Sequence, residues 1–229
     1  MKNNFLIIFI IFYQILFFNK VVAKEIQFDA SDIEISNDQN LTIANNGIAI
    51  IKDDGLVIKG AKIKYFKDKL LIVVNEGEIS KIDKTLKINS NSIEYYIDDG
   101  KINFSNKVKI YDYVNNLIIK TKNIKYDIIN QLIIGQENTE ILDEFDNIYK
   151  VNEFEYSFKD KIIKLKNAKV IDKNENTFDT ELAFLDLSKK ELLAKDVGLN
   201  FKISDNSENE PRLKGKSLVN NEKNTIVKK

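Results

Sequence analysis

A repeat of about 30 residues constrains this chain more than any other feature. The triplet Ile33-Glu34-Ile35 returns as Ile63-Lys64-Tyr65, Ile93-Glu94-Tyr95, Ile124-Lys125-Tyr126, Phe154-Glu155-Tyr156 and, more weakly, Leu182-Ala183-Phe184, in steps of 30, 30, 31, 30 and 28. Each triplet is apolar, polar, apolar, a fragment of a two-residue period. Self-similarity at a fixed period means one supersecondary unit stacked on itself, here about six times. Function then belongs to the surface or groove that the stack creates.

Within each unit apolar residues alternate. Leu86 and Ile88, then Ile93, Tyr95 and Ile97, fall two apart within each run, as do Leu117 and Ile119, then Ile124, Tyr126 and Ile128. Such runs are half-buried strands. Asn46-Gly47, Asp53-Asp54-Gly55, Asp98-Asp99-Gly100 and Asn115-Asn116 supply turn signals between them, because these residues tolerate positive φ. The unit reads as two strands. The first carries the triplet and the second opens on an apolar pair such as Ile102/Phe104, followed by a polar step. Within the first strand the period slips: Ile58 to Ile63 and Ile88 to Ile93 are five-residue steps. An odd step reverses the facing side chain unless a bend absorbs it. The same slip in successive units predicts a bend line across the sheet, folding it into a trough or flattened roll, an all-β architecture. About twelve strands are expected between residues 26 and 203, with almost no helix.

The N-terminus reads as an address. Lys2 precedes the apolar run Phe5–Phe18, interrupted only by Gln14, and Val21-Val22-Ala23 supplies small residues for cleavage. Residues 1–23 fit a secretory signal peptide; an uncleaved anchor helix is the alternative. Cleavage removes two of 35 basic residues, Lys2 and Lys20, and none of the 35 acids, leaving a net charge of −2. Residues 24–203 are expected to hold the repeats. Residues 204–229 read as a polar break, with Pro211–Leu218 starting one more strand, leading toward a missing C-terminal region.

Composition narrows the chemistry. With 35 positive and 35 negative side chains, no basic excess exists to neutralise phosphates, so nucleic acid is excluded as an expected partner. The chain has no histidine and no cysteine, which removes His-based triads, zinc–thiolate sites and disulfides. No metal, cofactor or enzymatic activity is expected. The Tyr65, Tyr95, Tyr126 and Tyr156 column reads either as a carbohydrate-stacking ladder or as an aromatic row that sets register, and the second is favoured. Asp53/Asp54, Asp98/Asp99 and the cluster Asp143, Glu144 and Asp146 read as turn and loop charge. Ile72, Phe104, Val108, Ile110 and Ile134 occupy matching positions of second strands and, with Ile119 of a first strand, are expected to face a common apolar groove able to hold acyl chains. In the first strand, Phe28, Ile33 and Ile35 mark an edge for a partner.

The polar steps Asn45-Asn46-Gly47-Ile48, Asn75-Glu76-Gly77-Glu78-Ile79, Ser105-Asn106-Lys107-Val108 and Lys166-Asn167-Ala168-Lys169-Val170, following Ile26–Ile33, carry a resemblance. This pattern resembles the OstA-like repeat of the lipopolysaccharide transport proteins LptA, LptC and the N-terminal domain of LptD. Pro211–Leu218 and Asn224–Lys229 look like the LptD segment that leads into its barrel. The resemblance implies a periplasmic jellyroll at the outer membrane, carrying lipopolysaccharide acyl chains and docking by strand addition to an LptA-like bridge protein. An outer-membrane lipoprotein partner of LptE type is implied if a barrel exists. LptD members usually carry cysteines, which this chain lacks. An LptA- or LptC-like bridge is the alternative, and a β-solenoid polysaccharide-binding protein or enzyme the competitor from another class.

Overall fold

A computed structural model describes residues 24–202, 211–221 and 224–228. Among them are fourteen strands: β1 (Ile26–Ile35), β2 (Leu41–Ile51), β3 (Leu56–Phe66), β4 (Leu71–Lys81), β5 (Leu86–Tyr96), β6 (Lys101–Asp112), β7 (Leu117–Asp127), β8 (Leu132–Leu142), β9 (Ile148–Ser157), β10 (Ile162–Ile171), β11 (Thr177–Asp186), β12 (Glu191–Asn200), β13 (Arg212–Asn220) and β14 (Thr225–Lys228). One 3-10 turn, Lys52–Asp54, is the helical exception among the described residues. All fourteen strands form one sheet in chain order, each neighbouring pair antiparallel. Twelve of them lie between residues 26 and 200, matching the expected count. The sheet does not end there. β13, where Pro211–Leu218 was expected to start one more strand, pairs with β12, and β14 pairs with β13. The expected signal peptide and the break at 204–210 lie outside the described residues.

A crease runs across the sheet at mid-strand. Ile58 and Ile63, Ile88 and Ile93, and Ile119 and Ile124 are all buried despite their five-residue spacing. The distortion that makes this possible sits in the second strand of each unit. Asn46, Glu76, Asn167 and Asp196 are left-handed at φ 49°, 52°, 50° and 53°. β6 and β8 carry two such residues each, Asn106/Lys107 and Glu137/Asn138, and their register shifts between Ser105 and Val108 and between Gln136 and Thr139. Those are bulges, with one extra residue on the bulged strand. Asn and Asp pay least for the left-handed region among residues with a side chain. The dipeptide Asn46-Gly47, expected as a chain reversal, therefore lies inside β2. Asn46 takes the left-handed bend there. A Cβ on Gly47 would fall 2.4 Å from that of Ala30, so position 47 needs a glycine for close approach. The remaining turn signals sit where chains reverse, and Gly55 and Gly100 there have φ 65° and 62°.

The crease folds the sheet over until opposite strand ends meet. Turns from odd to even strands make a first rim; turns from even to odd strands make a second. Tyr95, near the first rim, donates its hydroxyl to Asp54 on the second, 41 residues away. Tyr156 donates to Asp112, 44 residues away. Lys190 on the first rim pairs with Glu144 on the second at 2.8 Å. Each contact joins ends about one and a half repeats apart, so the two arms close into a roll with a seam.

Candidate functional site

The interior of the roll is built from one cross-strand row. Register pairs Ile33 with Ala44, then Ile63, Val74, Ile93, Phe104, Ile124, Gly135, Phe154, Leu165, Ala183, Ala194, Leu218 and Val227. Partners directly opposite share a face, so this apolar line runs from the first edge strand to the last. Its middle is closed: Ile63 and Leu165 are 0% exposed and Phe104 1%. Its start is open, with Ile33 45% exposed. The sixth unit corrects the triplet reading. Ala183 and Leu185 are the buried pair, whereas Phe184 faces outward. The unit is thus one residue later than its aromatic suggested.

Of the six residues expected to face inward, Ile72, Phe104, Val108, Ile110 and Ile119 are 0–2% exposed and lie in the one core. Ile134 does not join them and is 38% exposed. In β8 the inward residues are Ile133 and Gly135, and the bulge at Glu137/Asn138 restores that phase beyond the crease. Equating Ile134 with Phe104 overlooked the one-residue offset between these strands. Phe28, Ile33 and Ile35 all lie on β1, which pairs with β2 alone among the described strands. Ile35 is 63% exposed and Phe28 is half-buried beside Tyr65, with ring centroids 6.3 Å apart.

A cavity of about 650 Å³ opens between the two arms of the sheet at its first edge, lined by Ile26, Phe28 and Ile35 of β1, Tyr65 of β3 and the polar Ser36, Asn37, Gln39 and Thr42, with Lys24 and Lys67 at its lip. A second cavity, about 550 Å³, lies between the rims farther along. It is polar, lined by Asn115, Asp143, Asn147, Asp186 and Lys190 among others. A third, about 1040 Å³, is a shallow cleft over the crease.

The tyrosine column faces inward. Tyr95 and Tyr156 are 0% exposed and Tyr126 1%, which leaves these three no ring face for a sugar, while Tyr65 is half-buried at the mouth. Isoleucines alternate with them along the row, as Ile72, Tyr95, Ile102, Tyr126, Ile133 and Tyr156. The Tyr95 and Tyr156 hydroxyls reach across the interior to acids in the opposite rim, Asp54 and Asp112, a role the aromatic spacing alone did not reveal. The signal was present in the acids: Asp54, Asp83, Asp112, Asp143 and Asp172 recur at nearly the same pitch. Burial foremost, and the acceptor carboxylate next, push the Tyr95 and Tyr156 phenols far above their ordinary range. Burial pushes Tyr126 up to about 12.

The acidic cluster is turn architecture. Asp143 accepts from the Phe145 and Asn147 backbone at 2.9 Å each and from the Tyr149 hydroxyl at 2.7 Å, and is largely buried. Asp172 repeats the pattern with Asn174 and Asn176. Asp53, Asp98 and Asp99 are exposed turn residues, while Asp54 serves the seam.

No protein-family model and no curated protein matches the chain. Among solved structures it is similar to LptH, the LptA homologous periplasmic component of the conserved lipopolysaccharide transport device from Pseudomonas aeruginosa, with a TM-score of 0.44 at 13% identity over 49% of this chain and 82% of that one.

Proposed function

We propose that this chain is a non-enzymatic periplasmic carrier that shelters the acyl chains of lipopolysaccharide inside the roll and joins a like-folded bridge protein through β1. The observation that carries the reading is the inward apolar row that ends uncovered at an edge strand, beside a mouth of about 650 Å³ into which Ile26, Phe28, Ile35 and Tyr65 face among polar residues. Burying hydrocarbon there contributes ~0.8 kcal/mol per CH₂ removed from water, enough to hold a long chain without permanent capture. The edge backbone of Ile26–Ile35 supplies the ladder that strand addition uses. An added strand would extend the same row, so lipid would meet one continuous apolar surface at the junction.

The OstA-like pattern of the polar steps and the Pro211–Leu218 segment favour an N-terminal domain of LptD type at the outer membrane, with an LptE-type lipoprotein entering only through a barrel. One observation favours an LptA- or LptC-like bridge instead. Among the described strands β14 pairs with β13 alone, and its Ile226 is 52% exposed, as a bridge that adds strands at both ends needs. Photo-crosslinking tests the shared core of both readings. A photoreactive residue at Phe28 should label lipopolysaccharide, while one at Lys109 on the outer face should not. Equal labelling at both sites would reduce the interior to an ordinary core. Strand-addition partners at both edges would select the bridge.

A further inference from the structure

The central interior is filled, and the cavities lie at the mouth, between the rims and over the crease, so a ligand lodged between the arms requires the arms to part. Parting them breaks no strand ladder, because every ladder runs within the folded sheet and only side chains cross the seam. The polar crossings among the described residues are discrete. In the first, Lys24 Nζ donates to Asp54 Oδ1 at 2.7 Å and to the Ile97 carbonyl at 2.9 Å, strapping both rims, while the Tyr95 hydroxyl donates to the same carboxylate. In the second, Asp112, 4% exposed, accepts from the Tyr156 hydroxyl, and Asn115 Nδ2 donates to that hydroxyl at 2.9 Å. The third is the Glu144–Lys190 ion pair.

The repeat predicts one more catch between the first two, from Tyr126 to Asp83, and it is not made. Asp83 instead accepts from the backbone and hydroxyl of Thr85, at 3.0 and 2.6 Å, within its own turn. The Tyr126 hydroxyl has no hydrogen-bond partner among the described residues. The rims touch there through softer contacts. Lys81 Nζ lies 5.5 Å above the Phe158 ring, which packs on Tyr126 and Tyr156 at 5.9 and 4.2 Å. At the far side of each arm, the crease supplies a hinge line of left-handed residues.

We propose that the seam is a side gate for acyl chains, held by the Lys24–Asp54–Tyr95 and Asp112–Tyr156 catches and parting first at the uncaught Asp83–Tyr126 position between them. This deepens the carrier reading and rests on it. The gate accounts for a polar seam on an apolar container. Continuous apolar rims would zip shut along their length, whereas isolated charge-assisted bonds in a sheltered site are firm one at a time and release one at a time.

The test uses the full chain and the fluorescent fatty acid cis-parinaric acid. Tyr95→Phe with Tyr156→Phe removes both hydroxyls and keeps both rings. Uptake and release should each accelerate roughly tenfold or more, as expected for loss of a bond to a charged group, with equilibrium affinity nearly unchanged. Hydrogen exchange should rise in the 113–116 turn and stay unchanged at the crease. A domain that is merely loosened would instead lose affinity. Lys24→Met, which removes the strap on Asp54 and Ile97 and leaves both hydroxyl catches, should also accelerate both rates. Unchanged rates in both variants, with normal binding by the parent protein, would overturn the gate and leave the carrier standing. Failure of the parent protein to bind the probe at all would overturn the carrier and the gate together.

Discussion

Gly135→Ala should destabilise the domain, against the usual benefit of replacing a strand glycine. Position 135 faces the interior in β8, directly opposite Phe154 in β9. A Cβ built there would lie 2.0, 2.7 and 2.8 Å from three atoms of the Phe154 ring, far inside contact distance. The ring is 1% exposed, so it cannot swing into solvent and must push its neighbours. Overpacking of this kind costs about 1–3 kcal/mol, offset by roughly 0.4–1 kcal/mol from a stiffer unfolded chain. The expected net loss is on the order of 1–2 kcal/mol, a shift of roughly 2–8 °C in Tm for a chain of this size. Phe154→Leu alone leaves a cavity and also destabilises. Combined, the new methyl occupies part of the space the smaller side chain vacates, so the double variant should be more stable than additivity requires by at least about 1 kcal/mol. Urea unfolding followed by circular dichroism and by fluorescence of the nine tyrosines, in a chain with no tryptophan, measures the cycle. Gly198→Ala is the control, since a Cβ there meets nothing within 4 Å. Stabilisation by Gly135→Ala, or additivity within about 0.5 kcal/mol, would refute the packing argument.

Alkaline titration should expose the buried phenols. Tyr126 titrates near 10 when unfolded and is pushed up to about 12 by burial in the fold. Its contribution is therefore intact below about pH 10 and is lost as pH rises toward about 12, roughly 2–3 kcal/mol over that window. Tyr126→Phe should flatten the fall in stability between those values, and an identical slope in both proteins would contradict the assignment. At the crease, Asn167→Gly should change stability by a few tenths of a kcal/mol, whereas Asn167→Val should cost about 1–2 kcal/mol, because a β-branched residue resists the left-handed region; equal unfolding midpoints would argue against a conformational role. On β1, Ile33→Pro should weaken capture of an LptA-like bridge by at least the ~0.5–1.5 kcal/mol of one hydrogen bond while the later units stay folded. Undiminished pull-down by the folded variant would place docking elsewhere.

Fold class was legible because it depends on short-range periodicity. Alternation at two residues specifies strands, the 30-residue pitch specifies stacked hairpins, and Asp54-Gly55, Asp99-Gly100 and Asn115-Asn116 specify three of the reversals. The recurring five-residue step even located the crease. The inward face of five of the six residues expected to share an interior could be read from the same alternation, since each sits beside residues of matching phase. Ile134 and Leu182-Ala183-Phe184 escaped for a common reason. Alternation gives relative facing within a strand, but one inserted residue in a neighbour changes which phase points inward. The bulge in β8 is settled by pairing with β7 and β9.

Asn46-Gly47 shows the same limit at a turn. A residue pair that tolerates positive φ can reverse the chain or bend a strand, and only the room available decides: Gly47 lies against Ala30 of the preceding strand. The seam was the least legible feature. Tyr95 and Asp54 are 41 residues apart, and neither periodicity nor turn chemistry states that opposite ends of different strands will meet. Their repeats could each be counted along the chain. How far one rim slides past the other, and so which acid each tyrosine finds, was decided by the angle at which a creased, twisted sheet closes on itself.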